Sequence, residues 1–283
     1  MIRCATEADA GAMDKFLSRY AASSMFLRGN LSAYGTQDRE HRHGTKFYLS
    51  EDTNGIKAVA GITNSGYLMC QAPDAPMLFF EAVAKMLNGR TIVGMTGDPG
   101  QVSTMLTGIG CDKVAFALRV QEPLYALSLD ELMPLPLQER LLVKPSPDNA
   151  AWLTKWFLGY HQDSGLPLPP GTDLADLALT FTANPDARLL TVNDTPVAMS
   201  NLNARTRDTV QIGGVYVPTE HRGRGYGGEI VLRHLHQLCL EGIGKAILFA
   251  ASAFAARAYE AIGFRHIGAY EIALLKEPWR VKT

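Results

Sequence analysis

Residues 215–228 read Val215-Tyr216-Val217-Pro218-Thr219-Glu220-His221-Arg222-Gly223-Arg224-Gly225-Tyr226-Gly227-Gly228, and no other stretch restricts the chain's possible folds so tightly. An extended apolar run ends at a proline, crosses a short polar turn and meets glycines at the mouth of an amphipathic segment. Over 230–240 that segment sets Val231, Leu235 and Leu238 on one face and leaves Glu229, Arg233, His236 and Gln237 mostly off it, which is the period of a helix. A helix that begins in glycines presents its first backbone N–H groups unobstructed. Those unpaired donors, with the positive end of the helix dipole, suit phosphate oxygens. Arg222 and Arg224 add charge of the right sign. The stretch reads as a cradle for a diphosphate.

Spacing separates the ligands such a cradle can take. A Walker loop needs a lysine and a hydroxyl after its second glycine, and neither is present. Gly223, Gly225 and Gly228 satisfy the dinucleotide fingerprint, the pattern of a nicotinamide oxidoreductase. That unit, however, wants an acidic residue about 20 positions later, and 245–252 contains neither Asp nor Glu. A third pattern, Arg/Gln-x-x-Gly-x-Gly/Ala, is met position by position from Arg222 to Gly227. Downstream, after an apolar run at 246–250, comes Ser252-Ala253-Phe254-Ala255-Ala256-Arg257-Ala258-Tyr259-Glu260-Ala261-Ile262-Gly263-Phe264. The two blocks together resemble the GCN5-related N-acetyltransferases (GNAT family), in which the loop binds the pyrophosphate of acetyl-CoA and the second motif runs Asn-x-x-Ala-x-x-x-Tyr-x-x-x-Gly-Phe. The resemblance is specific over about 197–275 and architectural elsewhere.

The resemblance implies transfer of an acetyl group from a thioester to a primary amine by direct attack, with acetyl-CoA as co-substrate. It assigns cofactor binding to Val215, Val217, Arg222, Gly223, Arg224, Gly225, Tyr226, Gly227, Gly228 and Ser252. Val215 and Val217 would hold the pantetheine arm through main-chain bonds. The Val217 N–H is the expected donor to the thioester oxygen, a role that suits a preorganised dry site. Gly213-Gly214 just upstream reads as a bulge that lets this strand splay, or more plainly as two glycines in an edge strand. Tyr259 is the expected general acid, since a phenol with a reference pKa of about 10 is protonated at neutral pH. Its alternative is a tyrosine packed beside Phe254 and Ile262. Ser252 replaces the family's asparagine and Gln211 its strand glutamate, so the base is open between Glu220, His161, Glu271 and ordered water. The same two departures leave room for an acyl-CoA-binding sensor without turnover. A longer acyl group is a variant of the transferase reading.

At 283 residues the chain has the length of two domains, at about 100–200 residues each. The expected division is a GNAT-like domain over 1–135 lacking the cofactor loop, then a catalytic GNAT domain over 140–283, with Pro134, Pro136, Pro145 and Pro147 between them. Each would be a mixed, mostly antiparallel twisted sheet flanked by helices. A shift of 140 residues lays Ala10, Lys15 and Tyr20 on Ala150, Lys155 and Tyr160, and a slightly larger one lays Ile109-Gly110 on Ile262-Gly263. Where the second half has its cradle, the first has Ala72-Pro73-Asp74-Ala75-Pro76: no glycine, two missing amide donors and a carboxylate. Leu106 stands in the place of Tyr259. The first copy is expected to lack cofactor binding.

A net charge of −1 gives no electrostatic reason to expect nucleic acid or an anionic membrane. The four cysteines are scattered without a CxxC pair, so no metal site is expected. No apolar stretch has spanning length, and the expected setting is cytoplasmic. The expected partner is a small-molecule amine or a peptide N-terminus, acting on a monomer or homodimer. His234 and His236 lie two apart on a helix and point away from each other, and Trp152-Trp156-Phe157 reads as core.

Overall fold

The computed structural model describes residues 2–137, 140–165, 167–168 and 171–282. The chain begins with strand β1 (Ile2–Cys4), a 3-10 turn and helix α1 (Ala10–Ser18), whose Met13, Phe16 and Leu17 are buried at helical spacing. Helix α2 (Met25–Tyr34) follows, then strands β2 (Thr45–Asp52), β3 (Gly55–Thr63) and β4 (Tyr67–Gln71). Helix α3 (Met77–Met86), strand β5 (Thr91–Gly97) and helix α4 (Pro99–Gly108) lead into a long strand β6 (Phe116–Ser128). The order then repeats: β7 (Leu141–Val143), α5 (Ala150–Ser164), α6 (Leu174–Ala183), β8 (Arg188–Val192), β9 (Thr195–Arg205) and β10 (Thr209–Tyr216). Helix α7 (Tyr226–Leu240), strand β11 (Lys245–Phe249), helix α8 (Ala253–Glu260) and a second long strand β12 (Arg265–Arg280) complete it.

The repeat is visible in local chemistry. The Thr6 N–H donates to Asp9 Oδ2 at 2.8 Å ahead of α1, and the Ser146 N–H donates to Asn149 Oδ1 at 2.8 Å ahead of α5. Both bonds satisfy a backbone donor at a helix entrance. At the far end, Cys111 N–H returns to Leu106 O at 2.8 Å and Phe264 N–H to Tyr259 O at 3.1 Å. Gly110 and Gly263 supply the positive φ that these returns need, +69° and +104°.

The fold separates into two compact units, Met1–Glu122 with Ala269–Thr283, and Pro123–Gly268. Strands of the first lie in the order β1-β2-β3-β4-β5-β12, antiparallel but for β4–β5. Strands of the second lie in the order β6-β11-β10-β9-β8-β7, antiparallel but for β10–β11. Each is a mixed, mostly antiparallel sheet with helices on both faces, as the sequence implied. In the second unit, successive residues on one strand serve opposite layers. Leu190 and Ala198 pack with α7 and α8, while Leu189 and Met199 pack with Leu153 of α5 and Phe181 of α6.

The units divide the chain differently from the expected 1–135 and 140–283. The strands β6 and β12 each cross from one unit to the other, so the last strand of each half completes the other half's sheet. The proline-rich stretch is therefore interior to the second unit and contains β7. Helices α2 and α6 fall where the sequence pattern gave no helix. In α2, Gly29 and Asn30 dilute the pattern. For α6 a signal was present: the Asp173 side chain caps the Ala175 N–H at 2.8 Å.

Candidate active site

The site of the second unit is opened by a failure of strand pairing. β10 and β11 run parallel and pair at Thr209↔Lys245, Val210↔Ala246 and Gln211↔Ile247, and there the ladder stops. β10 nevertheless continues to Tyr216, and β11 continues to Phe249 while still paired with β6. The cause lies in the two glycines. Against β9 the register goes from Gly213↔Asn201 to Tyr216↔Met199, three steps opposite two, so one extra residue bulges out of β10. Gly214 takes a φ of +59° there. The result is a wedge whose β10 side, from Ile212 to Val217, exposes backbone groups with no strand opposite. Val215 and Val217 sit on it half-buried against the core. The Val217 N–H has no backbone partner among the described residues, and its carbonyl takes the Arg222 Nε at 2.9 Å. An extended chain with amide groups of its own fits such an edge.

The wedge leads onto the glycine turn. Gly223 and Gly225 have φ of +75° and +79°, and an added Cβ at either would meet nothing within 4 Å, so both face open space. Gly225 caps α7, whose first ladder bond is Glu229 N–H to Gly225 O at 3.1 Å. The N–H groups of Tyr226, Gly227 and Gly228 are thus the helix's unpaired donors. Two residues of this turn also pack against their neighbours. The Tyr226 ring is buried beneath the Arg140 guanidinium, 4.9 Å from its centre, so only its backbone can serve an anion. Gly228 is needed for packing: a Cβ would lie 3.1 Å from the Ala258 carbonyl. A Cβ at Gly227 would lie 3.6 Å from Val217. These two glycines bring Val217, the start of α7 and the end of α8 together. Arg222 pairs with Asp163 of α5 and lies 5.7 Å over the Tyr216 ring, while Arg224 is exposed.

Tyr259, one residue past that Ala258 contact, is buried. Burial, with a smaller effect from Tyr160, pushes its phenol well above the ordinary range, so it holds its proton throughout the working pH range. Ser252 proves to be the N-cap of α8, its Oγ accepting the Ala255 N–H at 3.1 Å. Its hydroxyl proton remains available, but one lone pair is committed. Gln211 is fully buried at the apex of the wedge, and neither polar atom of its amide has a partner among the described residues. Of the sequence candidates for a base, Glu271 belongs to the first unit, where Arg119 Nε at 2.8 Å and Gln121 Nε2 at 3.0 Å hold its carboxylate. Glu220 is exposed on a 3-10 turn, and His161 lies edge-on to Tyr160 with ring centres 5.5 Å apart.

The first unit offers an internal comparison. There the parallel pair β4–β5 stays zipped to Met69↔Thr96, three residues short of Ala72, whereas six separate Gln211 from Val217. Ala72 precedes Pro73 as Val217 precedes Pro218, and its N–H is taken by Gln101 Oε1 of α4 at 2.6 Å. Helix α3 starts after Pro76, without glycines. This wedge is shorter and filled by the protein itself, a feature that sequence reading missed.

Residues 150–264 match the model of the acetyltransferase (GNAT) family. No curated protein matches the chain. Among solved structures it is similar to a Drosophila protein (13% identity, 97% of this chain and 98% of that one, TM-score 0.67). It is also similar to a GCN5-related N-acetyltransferase from Sphaerobacter thermophilus (16%, 100% and 96%, TM-score 0.59). A third is a tandem GNAT protein from the clavulanic acid biosynthesis pathway (12%, 96% and 97%, TM-score 0.51). A doubled mixed-sheet fold with one open wedge and one glycine cradle defines the class. The second half of the chain thus carries the GNAT-family match, and the chain as a whole has the fold of two GNAT-like domains in tandem.

Proposed function

We propose that the second unit transfers an acetyl group from acetyl-CoA to a primary amine and that the first unit binds no cofactor. The observation that carries this reading is the wedge between β10 and β11 opening directly onto the glycine turn of α7. Acetyl-CoA supplies the activated thioester carbonyl. The edge at Val215 and Val217 would hold the pantetheine amides, and the N–H groups of 226–228, with Arg222 and Arg224, the pyrophosphate. The Val217 N–H would take the thioester oxygen as negative charge develops on it. The neutral amine forms the new C–N bond as the C–S bond breaks. The leaving sulfur then takes the Tyr259 phenolic proton, and the proton lost by the attacking nitrogen returns through water to the Tyr259 phenolate. A buried thiolate is made more basic by the same desolvation that raises the phenol, which keeps the two matched.

Calorimetric titration of acetyl-CoA into the wild-type chain and Gly225→Asp tests the reading. One site per chain is expected, lost in the variant, where a carboxylate and an L side chain at φ +79° oppose the pyrophosphate. A second site, or unchanged affinity in the variant, would overturn it. The neutral Gln211 favours a second reading, an acyl-CoA sensor without turnover. Absence of thiol release across an amine panel, with binding intact, would establish that alternative.

A further inference from the structure

On the α5 side of the second unit's sheet runs a strip of side chains that no cofactor contact uses. Met199 and Tyr216 are paired across β9 and β10, and both pack with α5 and α6. The next pair along the same face is Asn201↔Gly213, and Gln211 follows two residues before Gly213. Asn203 covers the gap left by the missing side chain, since a Cβ at Gly213 would lie 2.2 Å from its amide. The strip therefore consists of three neutral carboxamides. Gln211 is 0% exposed with both amide atoms unpartnered, and Asn201 Oδ1 is buried and unpartnered, among the described residues. Native interiors leave few such groups unsatisfied, and those they leave mark a place where water or a ligand completes the bonding. At the other end stands an aromatic ladder. The Tyr216 ring is 6.2 Å from Trp156, and Trp156 is 4.7 Å from Trp152, all three half-buried. Tyr216 directly precedes Val217.

Resting on the acetyl-transfer reading, we propose that this ladder and strip form the acceptor subsite, and that the acceptor is an amine with a flat apolar body and a neutral polar group. Indole and phenol faces bind a flat apolar body over a large area at small entropic cost. Carboxamides both donate and accept, which suits a neutral amide or hydroxyl on the acceptor. A polycation would exchange its hydration for no carboxylate in this strip, an unfavourable exchange. Neutrality also suits the chemistry, because only the unprotonated amine can attack.

The test titrates L-phenylalaninamide and spermidine separately into the full chain loaded with CoA, following tryptophan emission. Two of the three tryptophans stand in the ladder. Thiol release from acetyl-CoA with the same two amines is measured in parallel. L-phenylalaninamide should saturate the emission change at a concentration at least tenfold below spermidine. Asn203→Asp, at an exposed position that tolerates a charge, should narrow that gap at least tenfold and leave CoA affinity unchanged. Spermidine binding as tightly as the amide, through the ring faces alone, would overturn the proposal, as would an unaltered gap in Asn203→Asp. Failure of CoA itself to bind would remove the acetyl-transfer reading and this proposal with it.

Discussion

Gln101 Oε1 of the first unit accepts the Ala72 backbone N–H at 2.6 Å, while the corresponding N–H of Val217 in the second has no backbone partner among the described residues. One copy has filled with its own side-chain carbonyl the position that the other leaves open. Ala72 is buried, so removing its acceptor strands an amide. Gln101→Ala should cost about 1–3 kcal/mol of stability. Amide hydrogen exchange at residue 72 should accelerate in that variant, whereas Gln101→Glu, which keeps an acceptor, should retain protection. Unchanged exchange in Gln101→Ala would show the bond to be incidental.

Tyr259 is expected to act by giving up a proton, and its ring also packs 6.2 Å from Phe264. Tyr259→Phe keeps the packing and removes the proton. Turnover should fall on the order of a hundredfold with acetyl-CoA affinity preserved. Steady-state rates beside a binding titration check this, and full activity in the variant would leave the tyrosine a structural role only.

Asp163 holds the arginine that the pyrophosphate would need. Both side chains are about half exposed, so the pair itself contributes little to stability, but the carboxylate opposes an incoming anion. Asp163→Asn should tighten acetyl-CoA binding about threefold at low ionic strength and less at high salt. Weaker binding would mean instead that Asp163 positions Arg222.

His234 of α7 is fully buried, with Nδ1 3.1 Å from Ser200 Oγ. Burial, with Arg188 and Arg205 contributing, pushes its pKa down to about 3. The folded state keeps the ring neutral, while the unfolded chain protonates it below about 6.5. The stability it contributes is complete above that pH and is lost as pH falls toward 3, at about 1.4 kcal/mol per pH unit. Urea midpoints at pH 7.5 and 5 should differ in the wild type and converge in His234→Asn. An equal difference in both proteins would assign the acid sensitivity elsewhere.

The cradle and the second motif were legible because their chemistry is local: glycine conformations, a capped helix and a tyrosine within short segments. The bulge at Gly213-Gly214 was legible for the same reason. Gln101 was not, because its partner lies 29 residues away and a glutamine in a helix has no pattern of its own. Arg222 looked free for phosphate because Asp163, 59 residues earlier, gives no sign in sequence of facing it. The compact units part elsewhere than at the proline-rich stretch for a physical reason. Prolines mark where backbone donors are missing, and that happens at the edge strand of a sheet as readily as between domains.

The crossing strands also set the order in which the protein can be made. Residues of the first unit leave the ribosome early, yet its sheet lacks a strand until Ala269–Thr283 has been synthesised. The second unit draws Pro123–Ser128 from a segment made well before its own helices. A nascent first half must therefore wait with the β5 edge unpaired, a hazard for association with other chains. Cutting within the proline-rich stretch would leave each fragment short of a strand that the other carries.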